Sequence, residues 1–271
     1  MTTKIYIRAA VVLAVILAVS VSTLSAQHTL AVVGGGGMTS GRLYPSQEKR
    51  GTWGVFSGGL SWRYYSAPRF VGGIGVDLEF MQRGFSFSPD AWRYEEKEDY
   101  HYYTRIYNTV SVPVVWQPHV YMFRNHVRIY LEAMLNLEYN LSATFKNEVP
   151  GSLAEGKYTM YNYRDNHFGY GLAGGGGIDI LVGRIEFGFR VRYYFGLSDV
   201  MRNRNKYYDN GLDDPAENPF SLTPLRSPVD NLMMSFKVGF RFNKGGFNEW
   251  NIQKPKRDKN REKIQFSLDG H

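Results

Sequence analysis

The sequence predicts an all-β fold: an eight-stranded antiparallel up-and-down transmembrane β-barrel with an N-terminal signal peptide and a short basic C-terminal tail. Three observations carry this expectation. Apolar and polar residues alternate with period two through most of residues 27–242, the connections alternate between short and long, and the chain begins with an export-type leader. Composition agrees. The 271 residues include 29 glycines, 20 tyrosines and 17 phenylalanines, and aromatic girdles at the two membrane interfaces would use such rings. Past the leader, no apolar run approaches the roughly 20 residues of a membrane-spanning helix, which excludes a helical membrane protein. The absence of cysteine removes disulfides and a lipid-modified cysteine anchor.

Residues 1–26 read as the signal peptide. Lys4 and Arg8 charge its start, Ala9 to Val19 form an apolar stretch, and Ser25 and Ala26 place small residues before Gln27. The barrel domain is expected over 27–242. Its first two strands, near His28 to Met38 and Thr52 to Tyr65, are glycine-rich, and a third such segment is Phe168 to Ile180. The runs Gly34 to Gly37 and Gly174 to Gly177 suit a small barrel, where the wall curves sharply and the interior is crowded. Neither precedes a helix, as a phosphate-binding loop would require.

In the third strand Ile74, Val76, Leu78 and Phe80, preceded by Phe70, oppose Asp77, Glu79 and Arg83. The fourth carries the row Val110, Val112, Val114 and Trp116. In the fifth, from Val127 to Leu141, Ile129, Leu131, Leu135 and Leu137 alternate with Arg128, Glu132, Asn136 and Glu138. The seventh, Arg184 to Phe195, sets Ile185, Phe187, Phe189, Val191, Tyr193 and Phe195 against Glu186, Arg190 and Arg192. A helix would scatter those arginines around its circumference, so the strand reading wins. The eighth, Leu232 to Phe242, opposes Lys237 and Arg241 to six apolar residues.

Tight turns are expected at Ser66 to Arg69, Phe123 to His126 and Leu181 to Arg184. Longer loops are expected at Thr39 to Gly51, Ser86 to Thr104, Lys146 to His167 and Met201 to Ser227. Outer-membrane barrels have short periplasmic turns and long external loops. A chain entering from the periplasm would make its first, long connection outside, and eight strands would return it to the periplasm. There the tail, 243–271, would emerge with seven Lys/Arg against four acids. A soluble lipocalin-like barrel competes with this reading, with the apolar face turned inward around a ligand. Apolar rows of six to eight positions, and polar rows holding glycines and both signs of charge, favour the membrane.

The segments GVDLEFMQRGFSF (75–87), VSVPVV (110–115), RIYLEAMLNLEYNLSA (128–143), FGYGLAGGGGIDI (168–180), RIEFGFRVRYYFGLSDV (184–200) and NLMMSFKVGFRF (231–242) resemble the PorT-like outer-membrane β-barrel family of the Bacteroidetes. Pro113 within an apolar strand is among the more characteristic marks. The resemblance implies an outer-membrane barrel whose namesake serves the type IX secretion and gliding machinery, with no catalytic motif to carry over. Two departures stand out: many such barrels end at the terminal aromatic strand, whereas this chain continues for 29 residues past Phe242, and the loop from Met201 to Ser227 is long.

The inward rows define a lumen charge network: Asp77, Glu79, Arg128, Glu132, Glu138, Asp179, Glu186, Arg190, Arg192, Lys237 and Arg241. Eight strands enclose room only for their own side chains, so these ions are expected to pair into a plug. A conducting or proton-relay lumen is the alternative. The six histidines, His28, His101, His119, His126, His167 and His271, show no metal-ligand spacing, and no serine–histidine pair shares a strand face at a rim. No catalytic residue, metal or cofactor is expected. The aromatic loop residues Trp92, Tyr94, Tyr100, Tyr102 and Tyr103 are candidate contacts for a protein partner. Outer-membrane lipid and lipopolysaccharide are expected partners, together with envelope proteins docking through the loops or tail, and export sets nucleic acid aside. The function expected is a non-enzymatic structural or assembly component of the outer membrane; a narrow channel or a lipid-modifying enzyme are the alternatives.

Overall fold

The computed structural model describes residues 27–44, 46–65, 72–88, 91, 95–123, 126–149, 152–162, 165–202 and 224–242. The expected leader, basic tail and turn at Ser66 to Arg69 lie outside the described residues. The strands are β1 (Gln27–Gly41), β2 (Glu48–Arg50), β3 (Thr52–Tyr65), β4 (Gly73–Ser88), β5 (Tyr102–Gln117), β6 (His119–Met122), β7 (Val127–Val149), β8 (Ser152–Tyr158), β9 (Phe168–Val182), β10 (Ile185–Gly196) and β11 (Val229–Arg241). Eight of them form the closed antiparallel ring β1–β3–β4–β5–β7–β9–β10–β11, sealed by thirteen residue pairs between β11 and β1. The other three extend it. β6 carries on from β5 along β7, while β2 and β8 lengthen β4 and β7 at the loop end.

Period-two alternation decides which way each side chain points. Val32, Leu131 and Phe236 on the outer surface are 63%, 68% and 70% exposed, whereas Arg128 and Glu186 inside are fully buried. A continuous apolar outer surface of this size is unfavourable in water and suits hydrocarbon. Closure satisfies the backbone polar groups that an open sheet edge would leave bare in lipid. No described helix is long and apolar enough to cross a membrane; the strands span instead.

Local sequence shapes the wall. Val182 pairs with Ile185 across the two-residue turn Gly183–Arg184, where Gly183 takes φ +58, a left-handed conformation that glycine adopts without steric cost. Pro113 has no N–H. The β4–β5 ladder runs from Val76–Val114 to Glu79–Ser111 without pairing Asp77 or Leu78, while Pro113 keeps its place opposite Asn136 on β7. Inward glycines make room for large neighbours. A Cβ on Gly188 would collide with Asp179 Oδ1, and one on Gly177 would stand 2.5 Å from Tyr130 Oη.

The wall is uneven in height. β7 meets its last β9 partner at Tyr139, yet continues to Val149 and folds back as β8. The extension of about 30 Å, at roughly 3.3 Å per residue, occupies part of the stretch expected as a loop from Lys146 to His167. Past Leu141 the residues Thr144, Phe145, Lys146, Asn147 and Glu148 no longer alternate apolar with polar. Backbone pairing with β5 and β8 maintains the strand there.

Candidate functional site

The interior is filled by three groups of ions, each neutral in itself. Nearest the short turns, β7 supplies Arg128, β9 Asp179, β10 Glu186 and β11 Lys237. Arg128 Nη2 reaches Asp179 Oδ2 at 2.5 Å and Glu186 Oε2 at 2.8 Å. Lys237 Nζ lies 2.9 Å from Asp179 Oδ1 and 3.2 Å from Glu186 Oε1, so the two cations and two carboxylates form a closed ring of contacts. Aromatic faces support both cations: Arg128 sits 4.5 Å over Tyr65, and Lys237 5.2 Å from the Tyr130 ring.

The middle group holds three cations and three carboxylates. Arg192 reaches Asp77 and Glu79 at 2.8 Å and Glu132 at 2.6 Å. Arg63 pairs with Asp77, and at 3.0 Å with Glu132. Arg190 pairs with Glu79, and at 3.3 Å with Asp77. Tyr194 Oη donates to Glu79 at 2.6 Å, and Ser235 Oγ accepts from Arg190 at 2.9 Å. Above it Arg83 pairs with Glu138, which also accepts from Asn136 Nδ2 at 2.6 Å. Most of these contacts cross the lumen between strands that are not ring neighbours, so the ions lace opposite walls together.

At the loop end apolar side chains dominate, around the buried carboxylate of Asp165, which lies 3.7 Å from Arg105 and accepts from Tyr158 Oη at 3.0 Å. Phe85, Phe87, Tyr107, Ala143, Val200, Met201 and Val229 form a buried cluster, flanked by Leu43, Tyr103, Tyr158 and Met160. Val200 and Met201 belong to a strap lying after β10. Val200 N–H donates to Ser227 O at 3.2 Å, Asn166 N–H to Val200 O at 2.9 Å, and Met201 N–H to Ser227 Oγ at 2.9 Å. Asp199 and Arg226 pair at 2.9 Å, which ties the strap to the segment before β11.

Ten of the eleven residues expected in the charge network join these three groups. Arg241 is buried but donates to the Gly183 carbonyl at the turn end, with no carboxylate partner among the described residues. Arg63 and Arg83 complete the groups and stand outside the expected set. Arg63 shares the inward parity of Ser61 and Tyr65, a signal that the glycines of β3 dilute; Arg83 falls on the polar parity of β4 with Asp77 and Glu79, which is the signal that marks it. Of the expected loop contacts, Trp92 and Tyr94 lie outside the described residues. Tyr102 and Tyr103 stand in β5 rather than in a loop. Strand alternation turns Tyr103 inward onto Phe87, with ring centroids 6.2 Å apart, while Tyr102 lies beneath Arg50 at 4.4 Å and Tyr100 lies 6.3 Å from Tyr102. No described cluster of histidine and carboxylates has the makings of a metal site.

The profile of the outer membrane protein β-barrel domain family matches residues 23–202, about two thirds of the chain. Among solved structures, Neisserial surface protein A is 12% identical over 81% of this chain and 100% of its own, with a TM-score of 0.37. Ail, the attachment invasion locus protein of Yersinia pestis, is 13% identical over 81% and 100%, with a TM-score of 0.35. A major outer membrane protein from Thermus thermophilus is 12% identical over 81% and 100%, with a TM-score of 0.44. No curated protein sequence matches the chain.

Proposed function

The chain belongs to the outer membrane protein β-barrel domain family, and from that premise we propose that it serves the bacterial outer membrane as a sealed, non-enzymatic structural or assembly barrel. The carrying observation is the neutral pairing of lumen ions, group by group. An ion crossing such an interior would have to part buried pairs, and leaving one buried charge uncompensated costs about 3–5 kcal/mol. The carboxylates are likewise engaged by arginine or lysine, which leaves none poised as a general base. Recordings on the purified barrel in planar bilayers test this reading. Near-zero conductance is the expected result, and steady single-channel current would replace the sealed barrel with a narrow pore.

Its finer role in this reading is docking. Envelope proteins would bind the β7–β8 hairpin and neighbouring loops from outside, or the basic tail from the periplasm. The similarity of segments 75–87, 110–115 and 184–200 to PorT-like barrels supports a place in machinery of the type IX secretion and gliding kind. Purification in mild detergent, with and without residues 243–271, tests the tail's share. Unchanged partners after tail deletion would remove it.

A further inference from the structure

Along the seam of β1 and β11 the lipid-facing surface changes chemistry at the loop end. The outward row of β1 passes from Met38 through Ser40 to Arg42, and the paired row of β11 from Leu232 to Asp230. A cleft of about 310 Å³ opens there, with Met38, Leu232 and Tyr193 on its apolar side and Arg42, Lys49 and Asp230 on its polar side.

The polar side is held in place. Asp230, only 7% exposed, accepts from Arg42 Nε at 2.8 Å, from Tyr193 Oη at 3.0 Å and from Gly196 N–H at 3.0 Å. Arg42 also lies 3.8 Å over the Phe195 ring and donates from Nη2 to the Gly196 carbonyl, which leaves Nη1 and one N–H of Nη2 to face the cleft. Lys49 is exposed and makes no ion pair among the described residues. Two cations therefore face one carboxylate, which leaves net positive charge where the apolar outer surface ends.

We propose that this cleft seats a phosphate of an outer-leaflet glycolipid of the lipid A class, with an acyl chain along Met38 and Leu232. A free anion would have no use for the apolar side. A protein partner would need a face of about 800 Å², far more than one cleft offers. A guanidinium fixed by a buried carboxylate and an aromatic ring presents its remaining N–H groups at little entropic cost, the requirement for phosphate recognition. The proposal rests on outer-membrane placement and is independent of whether the lumen is sealed, which conductance decides separately.

Native mass spectrometry of the full mature barrel tests it, with bisphosphorylated lipid A, the same lipid stripped of phosphate, and inorganic phosphate as probes. Phosphorylated lipid should bind more tightly than the stripped form, and Lys49→Gln should weaken it about fivefold, the worth of one cation beside an anionic surface. Arg42→Gln should weaken it further. Because Arg42 also holds Asp230, Lys49→Gln is the variant that leaves the fold's contacts in place. Lys157→Gln, on the exposed β8 strand and outside the cleft, should change nothing. Equal binding of stripped lipid, no effect of Lys49→Gln, or an equal effect of Lys157→Gln would overturn the site. Displacement by millimolar inorganic phosphate would overturn the lipid assignment.

Discussion

Toward the short turns Arg128, Lys237, Asp179 and Glu186 fill the lumen with paired ions, whereas toward the loops Phe85, Phe87, Tyr107, Val200 and Met201 fill it with apolar side chains. The difference follows the backbone. In the lower region eight strands surround the lumen in fixed register, so Asp179 and Glu186 each meet two cations at close range. In the upper region several strands have ended, and loop segments supply part of the lining. Directional contacts are hard to satisfy from irregular backbone, while dispersion and water exclusion need only close approach. Ion groups predominate in the lower lumen, interleaved with Met81, Val115, Met134 and Met233, and apolar side chains predominate in the cap, around the Arg105–Asp165 pair.

Arg192→Leu attacks the rigid region most directly. It leaves Asp77, Glu79 and Glu132 facing two cations and should cost about 3–5 kcal/mol in urea unfolding from detergent micelles. A cost under about 1 kcal/mol would mean that water neutralises these ions and that the two regions differ less than their geometry suggests. Phe85→Ala should cost about 3 kcal/mol by emptying the cap. Its amide-exchange signature should be local, with faster exchange at Val200 and Met201 and unchanged protection around Arg128. Gly188→Ala, which sets a Cβ against Asp179, should cost about 1–3 kcal/mol. Gly34→Ala meets nothing within 4 Å, and its melting temperature should stay close to that of the parent.

The smallest effect belongs to the exposed hairpin. A hydrogen bond from Lys146 and the nearby Arg50 hold the Glu148 carboxyl below its ordinary range. A depressed carboxylate contributes stability above its unfolded pKa, near 4.3, and loses that contribution as pH falls through the lower folded value. Protection factors at β8 amides, taken relative to the intrinsic exchange rate at each pH, should therefore fall as pH drops below about 4, while those of the lumen strands hold. Glu148→Gln should abolish the pH dependence.

The barrel wall was legible in the sequence wherever lipid and lumen impose opposite demands on alternate residues. β10 shows it, with Phe187 and Phe189 outward and Glu186 and Arg190 inward. Past Leu141 lipid ceases to constrain one face, and β7 and β8 lose their signature. The identity of the charged inward residues was also readable, but not their partners. That Arg190 meets Glu79, and Arg63 meets Glu132, depends on the stagger of strands around the ring, which no local pattern encodes. Val200 and Met201 sit in a stretch with no periodicity at all. Only the strap geometry turns them inward.

The cross-lumen pairs bear on how the protein reaches its place. Arg190 and Arg192 on β10 find Glu79 and Asp77 on β4, strands that come together only when β11 zips onto β1. A half-built sheet lowered into hydrocarbon would carry bare ions, each costing several kcal/mol. Insertion and ring closure are therefore bound into one cooperative event, and a misaligned zip is penalised at every mismatched ion before the barrel can settle.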